Sequence, residues 1–402
     1  QWTPLHVAAE KGHDAVVQAL LSSPVTSEQI ATQLNAKNKD DWTPLHFAAW
    51  YGKDAVIEIL LAKGADVRAR TLESQWTPLH LAALFDHVEV VKALLSDSVH
   101  QDQITEQLNA KNKNDWTPLY IAAQEGRFEI AKRLIEKGAD VMARTSEGHG
   151  QWTALHIAAK KGHIAVIEAL LSEPVLQGKR TEQLNAKDGN GRTPLYIAAA
   201  YGHDAVVKAL LSDSVHQDQI TEQLNAKNKN DWTPLYIAAA NGHDAVVKAL
   251  LDPKYVTPEQ ITAQLNAKNK DDWTPLHFAA RYGRVEIVKR LIEKGAVVDA
   301  QTSGGYTPLH LVIYRQKNAQ DQQPTPEAAA AIARAVLAKL QDQGMDKDAI
   351  ERMLKSLGDH NKGKEFKAWV AEARKPENEW YKQVLLEHNV NPKVGLLERL
   401  FQ

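Results

Sequence analysis

Histidine is abundant enough in this 402-residue chain to suggest metal binding or acid–base catalysis, because imidazole ligates metals and exchanges protons near neutral pH. Most of the sixteen histidines occupy one of two repeated places. Six close a Thr-Pro-Leu-His motif or its Thr-Ala-Leu-His variant: His6, His46, His80, His156, His277 and His310. Four more follow the glycine between the two predicted helices of a repeat: His13, His163, His203 and His243. Three copies of the motif carry a tyrosine instead: Tyr120, Tyr196 and Tyr236. This replacement is not expected at a position that serves as a metal ligand or a general base. We therefore expect these histidines to be structural.

Other catalytic and binding patterns are missing from the sequence. The chain has no cysteine, which excludes disulfides, thiolate zinc sites and a cysteine nucleophile. Neither His-Glu-x-x-His, nor a glycine-rich phosphate loop, nor Gly-x-Ser-x-Gly occurs. A formal net charge of -2 gives no general attraction to nucleic acid or to an anionic membrane. No apolar run reaches the roughly 18 residues that cross a bilayer. We expect no catalytic residue, no cofactor and no metal.

The histidine motif is part of a longer stretch that recurs along the chain. Residues 41–49 read Asp-Trp-Thr-Pro-Leu-His-Phe-Ala-Ala, and nine versions of this stretch place a threonine at Thr3, Thr43, Thr77, Thr117, Thr153, Thr193, Thr233, Thr274 and Thr307. The spacing of these threonines, 33 to 41 residues, indicates a stacked repeat array. Residues 90–123 and 206–239 are identical, so the array has been lengthened by internal duplication.

Each repeat carries the start and stop signals of two short helices. In the second repeat, Thr43 is a favourable N-cap and Pro44 suits the first helical position. Gly52, which accepts a positive φ, ends this first helix, and an apolar stripe over about residues 54–61 predicts the second helix. Two helices of this length cannot bury both faces alone, so the repeats must be stabilised by stacking.

These residues resemble the ankyrin repeat, whose motif is Thr-Pro-Leu-His-x-Ala-Ala, followed by a glycine and a second helix that ends in Leu-Leu. The resemblance covers roughly residues 1–314. It implies an all-α fold, a right-handed curved solenoid of nine helix-turn-helix units with short β-hairpins. It also implies that the motif histidines form hydrogen bonds around the threonine and between repeats. Asp41, Asp115, Asp231 and Asp272 stand where the family usually has a glycine of positive φ.

Five repeats carry an insert after the second helix, over residues 22–33, 96–107, 172–183, 212–223 and 252–264. The last insert contains Thr257, Pro258 and Gln260, which suit the N-cap, the first position and the third position of a helix. We predict an extra helix of one or two turns in each insert. The alternative is a longer loop that is packed by its own isoleucine and leucine.

The pattern changes after the ninth repeat, which has Val312-Ile313 in place of Ala-Ala and lacks a second helix. Residues 315–326 are polar and predict a loop. A helix predicted over residues 326–343 carries Ile332, Val336 and Leu340 on one face, and we expect it to cap the array. Further helices are predicted over residues 346–357, 362–374, 376–388 and 392–401. We therefore divide the chain into an ankyrin array, residues 1–323, and a small helical cap or bundle, residues 324–402.

Two sets of side chains could bind a partner. The first is a column directly before the motif threonine, which in ankyrin repeats faces the concave side: Trp42, Trp76, Trp116, Trp152, Trp232 and Trp273. A tryptophan there either packs on the next hairpin or contacts a partner, and both interpretations stay open. The second set follows the Ala-Ala pair and varies between repeats: Trp50, Tyr51, Leu84, Phe85, Tyr201, Arg281 and Tyr282. Trp, Tyr and Arg dominate interface energetics, so we predict that the second set contacts the partner, and the column remains a candidate for contact. Asp86 stands where a glycine is expected, which predicts a distorted turn.

The expected function is a scaffold that binds a protein partner through the concave face, as a monomer, without nucleic acid and without a membrane span. One alternative is the recognition arm of a larger toxin or effector from a bacterium or symbiont. The other is an enzyme subunit whose catalytic part is the C-terminal bundle. The chain begins at Gln1, immediately before Trp-Thr-Pro, and we interpret it as a piece of a longer protein. The compartment stays open between the cytoplasm and secretion into a host cell.

Overall fold

Helices account for the secondary structure of the computed structural model, which describes residues 2–22, 26–97, 99–172, 179–212, 217–313, 325–355 and 380–388. The chain divides into two compact bodies, Gln1–Pro194 and Leu195–Gln402, which we call the amino-terminal body and the carboxy-terminal body. Each is described by itself. Within the described ranges no helix has the length and apolar character that crossing a membrane requires.

Every repeat opens with a helix that begins directly after the motif threonine. These first helices are Pro4–Lys11, Pro44–Trp50, Pro78–Leu84, Pro118–Glu125, Ala154–Lys161, Pro194–Tyr201, Pro234–Asn241, Pro275–Arg281 and Pro308–Ile313. Thr77 shows the predicted cap, because its hydroxyl oxygen accepts the N–H of His80 at 3.4 Å. Gly126, with φ 74°, ends the first helix of the fourth repeat in the left-handed conformation.

Among the described residues, a second helix follows in eight repeats. These second helices are Asp14–Leu20, Asp54–Ala62, Val88–Leu94, Phe128–Glu136, Ile164–Leu171, Asp204–Leu211, Asp244–Leu250 and Val285–Glu293. In the amino-terminal body, the first helices of repeats one to five pack on one another in succession, and so do the second helices. Ala48 and Ala49 are fully buried between them, as are Ile57 and Leu60. The small alanine pair lets the first helices approach closely, which explains why it recurs in every full repeat.

The turn between the two helices of the third repeat corrects the sequence prediction. Asp86 has φ 65°, the value that Gly52 has in the second repeat, so aspartate adopts the left-handed conformation here. Nε2 of His87 lies 2.9 Å from the carbonyl oxygen of Trp50, matching the 3.1 Å contact of His163 with the preceding repeat. The prediction of a distorted turn was therefore wrong.

All five predicted insert helices are present: Ser27–Leu34, Gln101–Leu108, Arg180–Asn185, Gln217–Asn225 and Pro258–Leu265. The cap at Thr257 forms as predicted, since its hydroxyl accepts the N–H of Gln260 and the Gln260 side chain accepts the N–H of Thr257. A second glutamine, Gln264, is buried and donates to the carbonyl oxygen of Leu250 at 3.1 Å. This bond ties the insert helix to the end of the second helix before it.

The short β-hairpins that the resemblance implied are turns, and the described residues contain no strand. The side-chain oxygen of Asn38 accepts the N–H groups of Asp40 and Trp42, both at 2.9 Å. A backbone bond of 3.0 Å from the N–H of Leu72 to the carbonyl oxygen of Asp40 joins this turn to the next. A single such bond does not make a strand ladder. The positive φ predicted for the aspartates is confirmed: Asp41, Asp115, Asp231 and Asp272 have φ between 57° and 60°.

The helix Pro326–Asp342 packs against Val285–Glu293 and Pro308–Ile313, where a second helix of the ninth repeat would lie. Its predicted apolar face is buried, with Ile332, Val336 and Leu340 inaccessible to solvent. The helices Lys347–Lys355 and Trp380–Glu387 follow, and the latter packs on Pro326–Asp342. The helices predicted over 362–374 and 392–401 lie outside the described residues, as does most of the predicted loop. The division at residue 323 stays a prediction.

Candidate binding surface

The motif histidines join neighbouring repeats through both ring nitrogens. Nδ1 of His46 accepts the N–H of Thr43 at 3.2 Å, which leaves Nε2–H to donate to the carbonyl oxygen of Trp76 at 3.0 Å. His80 makes the same bond to Trp116 at 2.9 Å. Burial lowers the pKa of His46 to about 4, so the ring is neutral at neutral pH. A general base would need a pKa nearer the working pH, and this arrangement is that of a structural link.

Two of the three tyrosines that replace these histidines also bond to the following repeat, through a side chain instead of a backbone carbonyl. The hydroxyl oxygen of Tyr236 accepts a hydrogen bond from the side-chain amide of Asn269 at 3.0 Å, and that of Tyr196 accepts one from Asn228 at 3.0 Å. Both asparagines belong to the turn of the following repeat. In the described part of the chain, no group of three or more His, Asp or Glu residues could hold a metal ion.

A cleft of about 380 Å³ lies at the turns of the second and third repeats in the amino-terminal body. Apolar side chains form its walls: Trp42, Trp50, Trp76, Leu81 and Leu84. Polar side chains of the two turns complete the lining: Asp40, Thr71, Glu73 and Ser74. We call this the aromatic cleft. It brings together four residues predicted from the sequence, from both the tryptophan column and the variable set.

Buried polar groups hold the backbone of the cleft tryptophans on both sides. The N–H of Trp42 donates to Asn38 at 2.9 Å, and its carbonyl oxygen lies 2.9 Å from Nε2 of His6. Trp76 repeats the arrangement, with its N–H donating to the hydroxyl oxygen of Thr71 at 3.0 Å and His46 on its carbonyl. The two rings therefore start from fixed backbone positions, which favours a preformed site.

Beside the cleft, aromatic rings continue as a row. The Phe47 ring lies 5.1 Å from that of Trp42, whose ring lies 4.9 Å from Trp50. The Trp50 ring is in turn 4.9 Å from that of Phe85 in the next repeat. Exposure is 36% for Trp50, 46% for Tyr51 and 38% for Phe85. Large aromatic groups that remain this exposed and adjacent mark a surface suited to a partner.

A second aromatic cluster lies in the carboxy-terminal body around Phe278. Its ring is 5.4 Å from Trp232, 4.7 Å from Trp273 and 5.8 Å from Tyr282. The guanidinium carbon of Arg281 lies 5.4 Å from the centre of the Trp273 ring. The cluster thus joins four further residues that the sequence predicted.

Three predicted residues lie apart from these two groups. Trp116 is half-buried and stacks on Tyr120, with ring centres 5.5 Å apart. Trp152 is only 8% exposed, which is the packing role that the sequence left open for the column. Tyr201 is exposed on the first helix of the sixth repeat. Their contact with a partner stays a prediction.

Sequence reasoning missed Phe47, whose ring packs on Trp42, and Phe278, whose ring lies between Trp232 and Trp273. It also missed the turn carboxylates Asp40 and Glu73 as parts of a site. The signal for the phenylalanines is the residue after the motif histidine, which is aliphatic in the other seven repeats. Only the second and eighth repeats have an aromatic ring at that place, and both form an aromatic group.

Comparison with known families agrees with the fold. The family described as ankyrin repeats (3 copies) matches residues 1–71, 68–145, 100–182, 143–220, 175–261 and 254–321. These matches extend over most of the chain, and the chain belongs to the ankyrin repeat family. Ankyrin repeats generally serve as scaffolds for protein–protein interaction. None of the curated proteins compared with the chain matches it.

Proposed function

We propose that the chain, as a monomer, binds a protein partner through the aromatic cleft and the exposed rings beside it, without catalysing a reaction. The observation that carries the proposal is the cleft itself, with three tryptophans around about 380 Å³ and Trp50, Tyr51 and Phe85 at or beside it. Interface hot spots are enriched in tryptophan and tyrosine and cluster in pockets from which a partner can exclude water.

The second aromatic cluster supports an additional contact. It is built from the positions of the repeat that form the aromatic cleft, namely the residue before the threonine and the pair after Ala-Ala. Arg281 and Tyr282 are half-buried there and belong to the residue types that contribute most to interfaces. We propose that Trp232, Trp273, Arg281 and Tyr282 bind a second part of the partner.

The alternative of a recognition arm in a larger toxin or effector uses the same surface, so a binding experiment bears on both. The alternative of a catalytic C-terminal bundle has less support. Glu387 is engaged by Arg334, with 2.7 Å between guanidinium and carboxylate, and among the described residues there the remaining titratable groups form no metal-binding group.

Selection of random displayed peptides on the intact chain tests the proposal. We expect peptides that bind the wild-type chain and are lost from the Trp50→Ala/Phe85→Ala variant. The matched control is Ile164→Ala, which removes an exposed apolar side chain of the same body, 37% exposed, away from the cleft. Peptides that bind the wild-type chain and the cleft variant equally would contradict the proposal.

A further inference from the structure

Two tryptophans of the column already carry basic side chains of the chain itself. The Lys160 ammonium lies 5.2 Å and the Arg192 guanidinium 5.6 Å from the centre of the Trp152 ring. Arg281 lies 5.4 Å from Trp273. A cation within about 6 Å of an indole face is attracted by its quadrupole. The position before the motif threonine therefore presents a ring face that basic side chains occupy.

In the aromatic cleft, tryptophans occupy the same position of the repeat, but among the described residues no basic side chain lies over their rings. Trp42 and Trp76 precede their threonines as Trp152 and Trp273 do, yet no basic side chain in the described ranges lies over the ring of either or of Trp50. The cleft lining contains no lysine or arginine. Its charged members are two carboxylates, Asp40 and Glu73.

Both Asp40 and Glu73 are exposed to solvent. Across the described residues, neither Asp40 nor Glu73 forms an ion pair, and the nearby Lys37 pairs with Asp41 at 3.3 Å. Three tryptophans and two carboxylates without an ion pair in the described part of the chain line one cleft, and this combination complements a positive charge. The flanking Leu81 and Leu84 suit an apolar neighbour of that charge.

We propose that the aromatic cleft receives the arginine side chain of an extended partner segment, with an apolar residue beside it. This inference rests on the proposed function and names the partner chemistry. Arginine is favoured over lysine because its planar guanidinium stacks on an aromatic face while its N–H groups donate to a carboxylate in a fork. Arg192 and Arg281 show that a guanidinium can lie over a tryptophan ring at this position of the repeat, at 5.6 and 5.4 Å from the ring centre.

A pair of short peptides tests the inference directly. The probe is acetyl-Leu-Arg-Leu-amide, and its control replaces arginine by citrulline, which keeps the planar shape and removes the charge. Both are titrated into the intact chain while the indole N–H signals of Trp42, Trp50 and Trp76 are followed by NMR. We expect the arginine peptide to shift these signals and to bind at least about tenfold more tightly than the citrulline peptide.

Charge-removing variants separate the carboxylates from the rings. In Asp40→Asn/Glu73→Gln we expect most of the preference for arginine to disappear, while citrulline peptide binding is unchanged. Glu28→Gln/Asp102→Asn removes the same charge from exposed sites of the insert helices and should keep the preference. Equal affinity for the two peptides, no binding of the arginine peptide, or a preference that survives Asp40→Asn/Glu73→Gln would each overturn the inference.

The outcome can be separated from that of the proposed function. Selected peptides that depend on Trp50 but contain neither arginine nor lysine would overturn the arginine assignment and leave protein binding at the cleft intact. Selected peptides that all bind independently of Trp50 and Phe85 would overturn the proposed function itself.

Discussion

Nε2 of His46 lies 3.0 Å from the carbonyl oxygen of Trp76, so a buried histidine of one repeat holds the backbone of a cleft residue in the next. His6 holds Trp42 in the same way at 2.9 Å. The histidines are structural, yet they fix the backbone of two tryptophans that line the cleft. Stability of the array and geometry of the candidate site therefore depend on the same hydrogen bonds.

Lowering the pH from about 6.5 to about 4 should destabilise the chain. Burial lowers the pKa of His46, His80, His156 and His277 to about 4, whereas an unfolded histidine titrates near 6.5. Between these values the unfolded state binds more protons, so the free energy of unfolding falls as the pH falls and is insensitive to these groups above about 6.5. Between the two pKa values, each of these histidines changes the free energy of unfolding by about 1.4 kcal/mol per pH unit. Urea denaturation across this range measures the slope.

The histidine contribution is isolated by His156→Tyr, which introduces the residue that three repeats carry at this place. We expect a shallower pH dependence than in the wild-type chain, because one titrating group is removed. Identical slopes for the two proteins would show that His156 does not titrate in this window on unfolding.

The insert helices should depend on their caps. Thr257→Ala removes the hydroxyl that accepts the N–H of Gln260, and we expect a loss of about 1 kcal/mol in local stability. Hydrogen exchange of the amides in Pro258–Leu265 measures it. Thr262→Ala is the control, since its exposed hydroxyl only donates to the carbonyl oxygen of Pro258 within the helix. Equal exchange rates in both variants would mean that the cap does not hold this helix.

The C-terminal helix should be required by the ninth repeat. A chain ending after residue 323 loses the helix Pro326–Asp342, which covers Val285–Glu293 and Pro308–Ile313. Buried side chains such as Leu309 and Val312 would meet water, at a cost of roughly 1.5–3 kcal/mol each. We expect faster hydrogen exchange in both covered helices and a tendency to aggregate, because terminal repeats need a covering element.

A chain ending after residue 355 is the matched control, since it keeps Pro326–Asp342 and should retain the protection of the ninth repeat. If the shorter chain is instead monomeric with unchanged exchange in these helices, the residues after 323 form an independent domain. That domain would then be the first place to look for a separate activity.

Local signals made most of the fold predictable. Thr257, Pro258 and Gln260 mark a helix start whatever surrounds them, and Thr26 with Gln29 does the same in the first insert. The helices Gln101–Leu108 and Arg180–Asn185 begin without a side-chain cap, and their inserts have the closing Gln-Leu-Asn-Ala-Lys in common with the others.

The positive φ of Asp41 was equally readable, because it depends on its own turn. The turn at Asp86 was mispredicted because the sequence shows only that aspartate replaces glycine there. It does not show that the neighbouring His87 keeps its hydrogen bond to the previous repeat.

The candidate site was predictable as residue types but not as a shape. Trp50 and Phe85 were chosen for their residue type and their variation between repeats, yet their contact at 4.9 Å depends on how two repeats stack. The sequence alone did not show which tryptophans of the column pack within the array and which are open to a partner. In the structure, Trp152 is buried beneath two basic side chains while Trp42 and Trp76 face an open cleft.

The affinity of one cleft-dependent peptide for Trp50→Ala/Tyr51→Ala/Phe85→Ala tests the central claim most directly. Isothermal titration should give binding at least about 30-fold weaker than to the wild-type chain, the loss of about 2 kcal/mol that a hot spot causes. The thermal melt should be unchanged, since exposed substitutions usually alter stability by no more than about 0.5 kcal/mol. Unchanged affinity together with an unchanged melt would contradict binding at the aromatic cleft.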